Sequence, residues 1–343
     1  IWWASDETNA GKYVLGYKEL ITDAYGTVTM REWSTTKVGY TARRKTINYH
    51  EILRDGLGNV VSTSDWSKGV YDGDKIKSYQ QVTKDAYGNA STLDWEGEYN
   101  DRGFITKPFS KEKQDSKDKS ISYSENTTTY TYEGSEKLKT AVGRGIFKSE
   151  DESGNINSGT TLQEYEIING QLKLVRNTSG ADYNNIDGST AHSESSITYE
   201  YNDKNLLSGA SGFGTTIGSD IFGNFYKTLV TDTYAIITGD AKRVHSVSTT
   251  ESDDILGSTS LSETVSDYKY DKRTGRILSA TGYTNTSSED IFGNPQVTST
   301  ELIYQIINGQ PKLVRSETTS DSLDPASEMA KIVFNVESFL GEV

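Results

Sequence analysis

Residues 268–315 read YKYDKRTGRILSATGYTNTSSEDIFGNPQVTSTELIYQIINGQPKLVR, and the same order of parts occurs twice upstream. Tyr132, Tyr201 and Tyr270 are evenly spaced, and Gly154, Gly223 and Gly293 follow with nearly the same spacing. The segment YEIINGQLKLVR at 165–176 returns at 304–315 as YQIINGQPKLVR, with two differences. Self-similarity at a fixed period, here roughly 69 residues, marks a repeat architecture built from one supersecondary unit.

The period contains a smaller one. The pattern Asp-x-x-Gly-Asn stands at 55–59, 85–89, 151–155, 220–224 and 290–294, with a variant at 23–27 and weaker forms at 185–188 and 254–257. Its glycines are Gly26, Gly58, Gly88, Gly154, Gly223 and Gly293, joined by Gly188 and Gly257. They define a basic unit of roughly 33 residues, half the longer period. The double-length step from Gly88 to Gly154 implies a unit whose marker is lost near Lys119. The charged run Lys111–Lys119 around that point reads as an exposed loop. Asp at the first position of a turn accepts hydrogen bonds from backbone N–H groups two residues on, and Gly supplies positive φ without steric cost. Each Asp-x-x-Gly-Asn is therefore a tight reversal between strands. The opposite reversals are Asn169-Gly170, Thr238-Gly239 and Asn308-Gly309, alternating with Tyr-Asp types, and Asn-Gly between β-prone runs is the strongest short hairpin signal.

The fold expected is all-β: long antiparallel hairpins in a continuous meander or wound sheet, with strands of about 10–14 residues. Leu302–Ile307, Leu313, Val314, Tyr268 and Tyr270 predict an apolar band at the Asn-Gly and Tyr-Asp edge. The Asp-x-x-Gly-Asn edge reads as Ser, Thr and Asp, hence hydrated. Residues 1–22 form an N-terminal apolar segment, 23–323 the hairpin array and 324–343 a capping or docking segment. In the last, Asp324-Pro325 opens a helix signal, with Met329, Ile332, Val333, Val336, Phe339 and Leu340 at helical spacing. A strand over Ile332–Val336 is the alternative.

The chain has 343 residues, a formal charge of −14, only 33% hydrophobic residues and no Cys, but 22 Tyr. That aromatic content argues against disorder. The acidity argues against nucleic acid and anionic membranes as partners, and no apolar run is long enough for a membrane helix. Without Cys there is neither a disulfide framework nor a thiolate metal site. The start at Ile1 leads to the expectation of a mature or excised piece of a longer precursor.

The motif Tyr270-Asp271-Lys272-Arg273-Thr274-Gly275-Arg276 resembles the YD-repeat signature of RHS-type proteins, echoed at Tyr99–Gly103, Tyr201–Asp203 and Tyr71-Asp72. The resemblance implies β-hairpins wound into a strip that, in that family, encloses a toxin or builds a cell-surface shell.

Little in the chain speaks for catalysis. His50, His192 and His245 lie in no metal-ligand spacing. The run GFGTTIG (Gly212, Gly214, Gly218) lacks the following helix of a dinucleotide site. Asp182–Gly188 is similar to a calcium loop without its closing Glu. Neither a cofactor nor a metal site is expected. Trp33, Trp66 and Trp95 follow Gly26, Gly58 and Gly88 at nearly one offset. That places them in one column, either a packing ladder or a carbohydrate-stacking platform. Trp2, Trp3, Ile332, Phe334 and Phe339 are candidates for self-association. The function expected is that of an extracellular or cell-surface structural protein, non-enzymatic, whose partner is itself or another surface protein. A carbohydrate-binding adhesin and the shell portion of an RHS-type toxin are the alternatives.

Overall fold

A computed structural model describes residues 2–5, 13–22, 28–134, 136–322 and 330–335. The chain divides into two units, Ile1–Thr160 and Thr161–Val343. The first carries β1 (Trp2–Ser5), β2 (Val14–Thr22), β3 (Val28–Ser34), β4 (Tyr49–Arg54), β5 (Val60–Asp72), β6 (Lys75–Asp85), β7 (Ala90–Tyr99), β8 (Ile105–Asp115), β9 (Ile121–Glu133) and β10 (Lys137–Glu150). The division falls within β11 (Ile156–Ile168). The second unit continues with β12 (Gln171–Asn184), β13 (Thr190–Tyr201), β14 (Leu207–Ser219), β15 (Phe225–Ile237), β16 (Asp240–Asp253), β17 (Thr259–Tyr270), β18 (Ile277–Glu289), β19 (Pro295–Ile307), β20 (Gln310–Ser322) and β21 (Ala330–Asn335). The fold is all-β, a meander of hairpins: from β1 to β10, and again from β12 to β21, each strand pairs antiparallel with the next. A 3₁₀ turn, Lys37–Gly39, is the one helical element among the described residues.

The reversals explain the register. At Asp55–Asn59 the Asp55 and Asn59 backbones pair (N···O 2.9 Å) and Gly58 N–H donates to Asp55 C=O at 3.0 Å. Asp55 Oδ1 accepts from Leu57 N–H (2.9 Å) and Asn59 N–H (2.8 Å), while the Asn59 amide donates to Oδ2 at 2.9 Å. This is a three-residue hairpin loop with its last residue in the left-handed region. Gly58, Gly88, Gly154, Gly223 and Gly293 hold φ between 80° and 93°; Gly26 lies outside the described residues. These bonds, the Asn side chain's foremost, hold the carboxyls of Asp55, Asp151 and Asp290 below the usual carboxylate range. They therefore stabilise the fold above the ordinary Asp pKa, and that contribution is lost as pH falls through the lowered values.

The run Lys111–Lys119 is not the loop expected. Its first five residues finish β8, and Ser116–Ser120 make the same three-residue reversal, with Lys119 at φ 75° in the glycine's place. The period survives there because backbone hydrogen bonding, not glycine, defines the turn. The C-terminal helix is likewise corrected: 330–335 is strand β21, pairing Ala330–Asn335 with Arg315–Ser320. In that register alternation outweighs the helical spacing, as the β20 ladder satisfies the backbone.

Within each unit, among the described residues, no strand packs over the face of another. Extensive contact joins only sequence-adjacent strands, with marginal approaches of β14 to β16 and β18 to β20. Among the described residues the buried apolar side chains are Trp66, Ala141, Ala181, Val265 and Ala280, and no large side chain is fully buried. Each unit is a single layer whose cohesion comes from the ladders and from cross-strand neighbours.

The Tyr-Asp edge repeats a second device. Tyr99 and Tyr201 end their strands and Tyr132 stands one residue before the end of β9, each beside a β-bulge, and their hydroxyls donate to the carbonyls of Ile76 (2.8 Å), Ile105 (2.8 Å) and Leu174 (2.9 Å) on the preceding strand. The bulge increases local twist, and the tyrosine closes over the hairpin before it.

Because Lys119 bears the strain that glycine avoids, Lys119→Gly is expected to raise stability by up to about 1 kcal/mol. Gly223→Val and Gly293→Val are expected to lower it by more than about 1 kcal/mol. Urea-unfolding midpoints check both directions, and three unchanged midpoints would refute the turn assignment.

Candidate functional site

The most organised side-chain feature lies in the first unit. The expected tryptophan column is half of a longer ladder, in which Tyr17, Trp33, Tyr49, Trp66, Tyr79 and Trp95 follow one another across β2 to β7. Ring centroids are 5.3–5.6 Å apart, with interplanar angles from 10° to 37°. Direct register partners (Tyr17 and Trp33, Tyr49 and Trp66, Tyr79 and Trp95) alternate with diagonal neighbours. The sequence carries a signal for the tyrosines that the column alone does not use: each precedes its tryptophan by nearly the same interval, one strand and a reversal. Backbone register places Trp3 opposite Tyr17 and Ser110 opposite Trp95.

Glycines make room for the ladder. A Cβ on Gly97 would stand 2.5 Å from the Trp95 ring, and one on Gly69 would collide with the Trp66 ring. Gly69 follows Lys68 (φ 56°) in a bulge of β5. Beside the ladder runs a charged row, Glu19–Arg31–Glu51, with N···O distances of 3.2 and 2.6 Å. Trp66, at the centre, is 7% exposed. Its two faces are taken by Tyr49 and Tyr79, so a sugar could not stack on it without breaking the ladder.

A cleft of about 360 Å³ adjoins this point, where Ser34, Asn48, His50, Asp65 and Ser67 meet Tyr49 and Trp66. It contains a juxtaposition the sequence does not reveal: Ser34, His50 and Asp65 are successive register partners on β3, β4 and β5, and His50 Nδ1 lies 2.7 Å from Asp65 Oδ1. The order matches a nucleophile, a base and its orienting acid. Yet His50 and Asp65 are 43% and 64% exposed, and the His–Asp pairing recurs at His192–Asp182 (2.7 Å) and His245–Asp267 (2.8 Å), also between direct register partners. The same His–Asp hydrogen bond thus recurs at three places in the sheet as a cross-strand pair. At His192 the hydrogen bond to Asp182, then that to Glu194, raises the imidazole pKa. That stabilisation is full below the ordinary His value and is lost as pH rises through the raised one.

The other sequence candidates resolve structurally. Asp182 lies in β12 rather than in a calcium loop. Gly212 and Gly218 are in β14, where a Cβ would crowd the side chains of Tyr234 (3.2 Å) and Tyr226 (2.5 Å). Trp2, Trp3, Ile332 and Phe334 belong to the end strands β1 and β21, and Phe339 lies outside the described residues. Among the described residues no cluster of three or more His, Asp or Glu is placed to hold a metal ion, and no helix is long and apolar enough to cross a membrane.

No protein-family model matches the chain, and no curated protein matches it.

If the ladder is a packing device, Trp66→Ala costs about 3–5 kcal/mol, and Gly97→Val shifts the tryptophan emission as Trp95 is displaced. A melting temperature unmoved by Trp66→Ala would contradict this and favour the carbohydrate platform.

Proposed function

We propose that this chain is a non-enzymatic structural repeat protein of the cell exterior, a segment of a surface fibre, sheath or shell that associates with copies of itself. The observation that carries the reading is the pair of terminal strands. Among the described residues β1 pairs only with β2, and β21 only with β20. Each end strand therefore carries, among the described residues, one ladder edge without a partner, and such an edge is a template for strand addition. The two ends differ in sequence, so their contact is heterologous, and such contacts propagate unless their rotation closes a ring. The resemblance to YD-repeat proteins supports a shell or sheath as the form built.

Two observations weigh against the carbohydrate-binding alternative: the central rings cover one another, and Trp66 is almost wholly buried.

The test is deletion of residues 324–343. The intact chain is expected to sediment as larger species with rising concentration, and the truncated chain to stay folded and monomeric. An intact chain that is monomeric throughout, with a truncation that unfolds, would make the terminal segment an intramolecular cap and overturn the proposal.

A further inference from the structure

The two edges of the second unit differ in charge and shape. One edge is made by the reversals at 185–189, 220–224, 254–258 and 290–294. Within four residues of these turns the sequence has eight Asp and Glu but only one cation, Lys227. The edge is acidic but not uniformly polar, because both middle positions of the turns at 220–224, 254–258 and 290–294 are apolar. Phe222 is 69% exposed, Leu256 73% and Phe292 82%. The Asp side chains are occupied with turn N–H groups, which forces the following pair outward, beyond the end of the sheet. Adjacent tips are tied together: Asn224 Oδ1 accepts from Ile255 N–H at 3.1 Å, and Ile255 Cγ2 lies 3.6 Å from a Cβ built on Gly223. Between the turns at 254–258 and 290–294 is a cavity of about 450 Å³ lined by Asp254, Glu289 and Asp290 among serines.

The opposite edge is made by the reversals at 202–206, 238–239, 271–276 and 308–309. In the stretches 198–210, 234–243, 267–280 and 304–313 there are eight Lys and Arg against five acids. The turn Asp271–Arg276 projects Lys272, Arg273 and Arg276, all exposed. Beside it lies a cavity of about 690 Å³ in which Arg243 and Arg276 meet Tyr268, Tyr270, Ile306 and Pro311. Arg243 sits 5.2 Å from the Tyr268 ring centre. A cup of guanidinium, phenol and aliphatic groups suits an apolar side chain accompanied by carboxylates.

The register of the strands aligns these features. The acidic cavity is centred on β17 and β18, the strands that turn 271–276 joins at the other edge. The tip Ile291–Phe292 joins β18 to β19, and the cup, lined from Arg243 on β16 to Pro311 on β20, is centred near β18. Both edges repeat every two strands, about 9.5 Å. One translation along the strands, with no shift across them, therefore brings cation onto acid and tip onto cup together.

We propose that these edges join copies of the chain side by side: the turn Asp271–Arg276 of one copy seats in the acidic cavity of the next, whose Ile291–Phe292 tip seats in the first copy's cup. The contact rests on the self-association reading but uses different surfaces from the terminal strands. End strands would give a fibre its length, and these edges would join fibres into a sheath with a lateral repeat of roughly 50 Å, one strand length plus its turns.

The test uses the full-length chain in two variants, K272E/R273E (cationic turn reversed) and E289K/F292D (acidic cavity and tip altered, turn-holding Asp290 kept). Circular dichroism and melting temperature verify the fold of each. Sedimentation of the wild type is expected to weaken at least tenfold between about 0.05 M and 0.5 M salt, as screening predicts. Each variant alone should lose at least tenfold in lateral association at low salt, and negative stain should show separate filaments. Mixing the two variants should restore a contact, since one supplies an intact cavity and tip and the other an intact turn. Variants that assemble like wild type, or a mixture that recovers nothing, would overturn the edge contact and leave end-to-end association standing. A wild type monomeric at every concentration would overturn both.

Discussion

The structure depends on one small constraint, a three-residue loop closed by backbone hydrogen bonds and, at most turns, by an Asp or Asn side-chain oxygen that accepts N–H groups two and four residues on. In a protein with a two-sided core, the burial of one face selects the strand register. Here both faces are half-exposed, and a register slip would move few side chains from apolar surroundings into water. The turn must therefore do the selecting. It does so at 55–59, 85–89, 151–155, 220–224 and 290–294 with the same bonds, to within a few tenths of an ångström. The carboxylate satisfies N–H groups that would otherwise need water, and the left-handed fourth residue returns the chain at the correct twist.

Between turns, cohesion is distributed. The aromatic ladder, the tyrosines closing on the preceding strand and the Thr and Ser hydroxyl pairs such as Thr228–Thr250 and Thr264–Thr284 each join one strand to the next. Ring pairs contribute about 0.5–1.5 kcal/mol beyond area burial, and other cross-strand pairs less. No single element is decisive, so stability is a sum of nearest-neighbour terms, as in repeat arrays generally. Among the described residues such an array leaves one ladder edge of each end strand without a partner, and it has turn rows along its sides.

The all-β hairpin character was legible because glycine and aspartate write the turns into the sequence at a near-constant interval. Lys119 shows where that reading stops: the turn persists without its glycine, and a composition-based view takes the surrounding charges for a loop. Residues 330–335 show a second limit, since Ile332 and Val333 suit a helix and a strand alike until the β20 ladder chooses. The tryptophan column was visible but its tyrosines were not. Tyr is so common here that only a constant offset to the next tryptophan distinguishes Tyr17, Tyr49 and Tyr79. The Ser34–His50–Asp65 row and the matching of the two edges depend on register across several strands, which no local motif carries.

Each unit is one sheet layer with almost no buried apolar side chain among the described residues. Heat capacity reports that directly, since the increment on unfolding follows apolar area newly exposed to water. Differential scanning calorimetry of the unassociated chain should give an increment per residue well below the roughly 12–15 cal/mol/K of ordinary globular proteins. A value within that range would mean that a second layer covers the sheet, and would contradict the account.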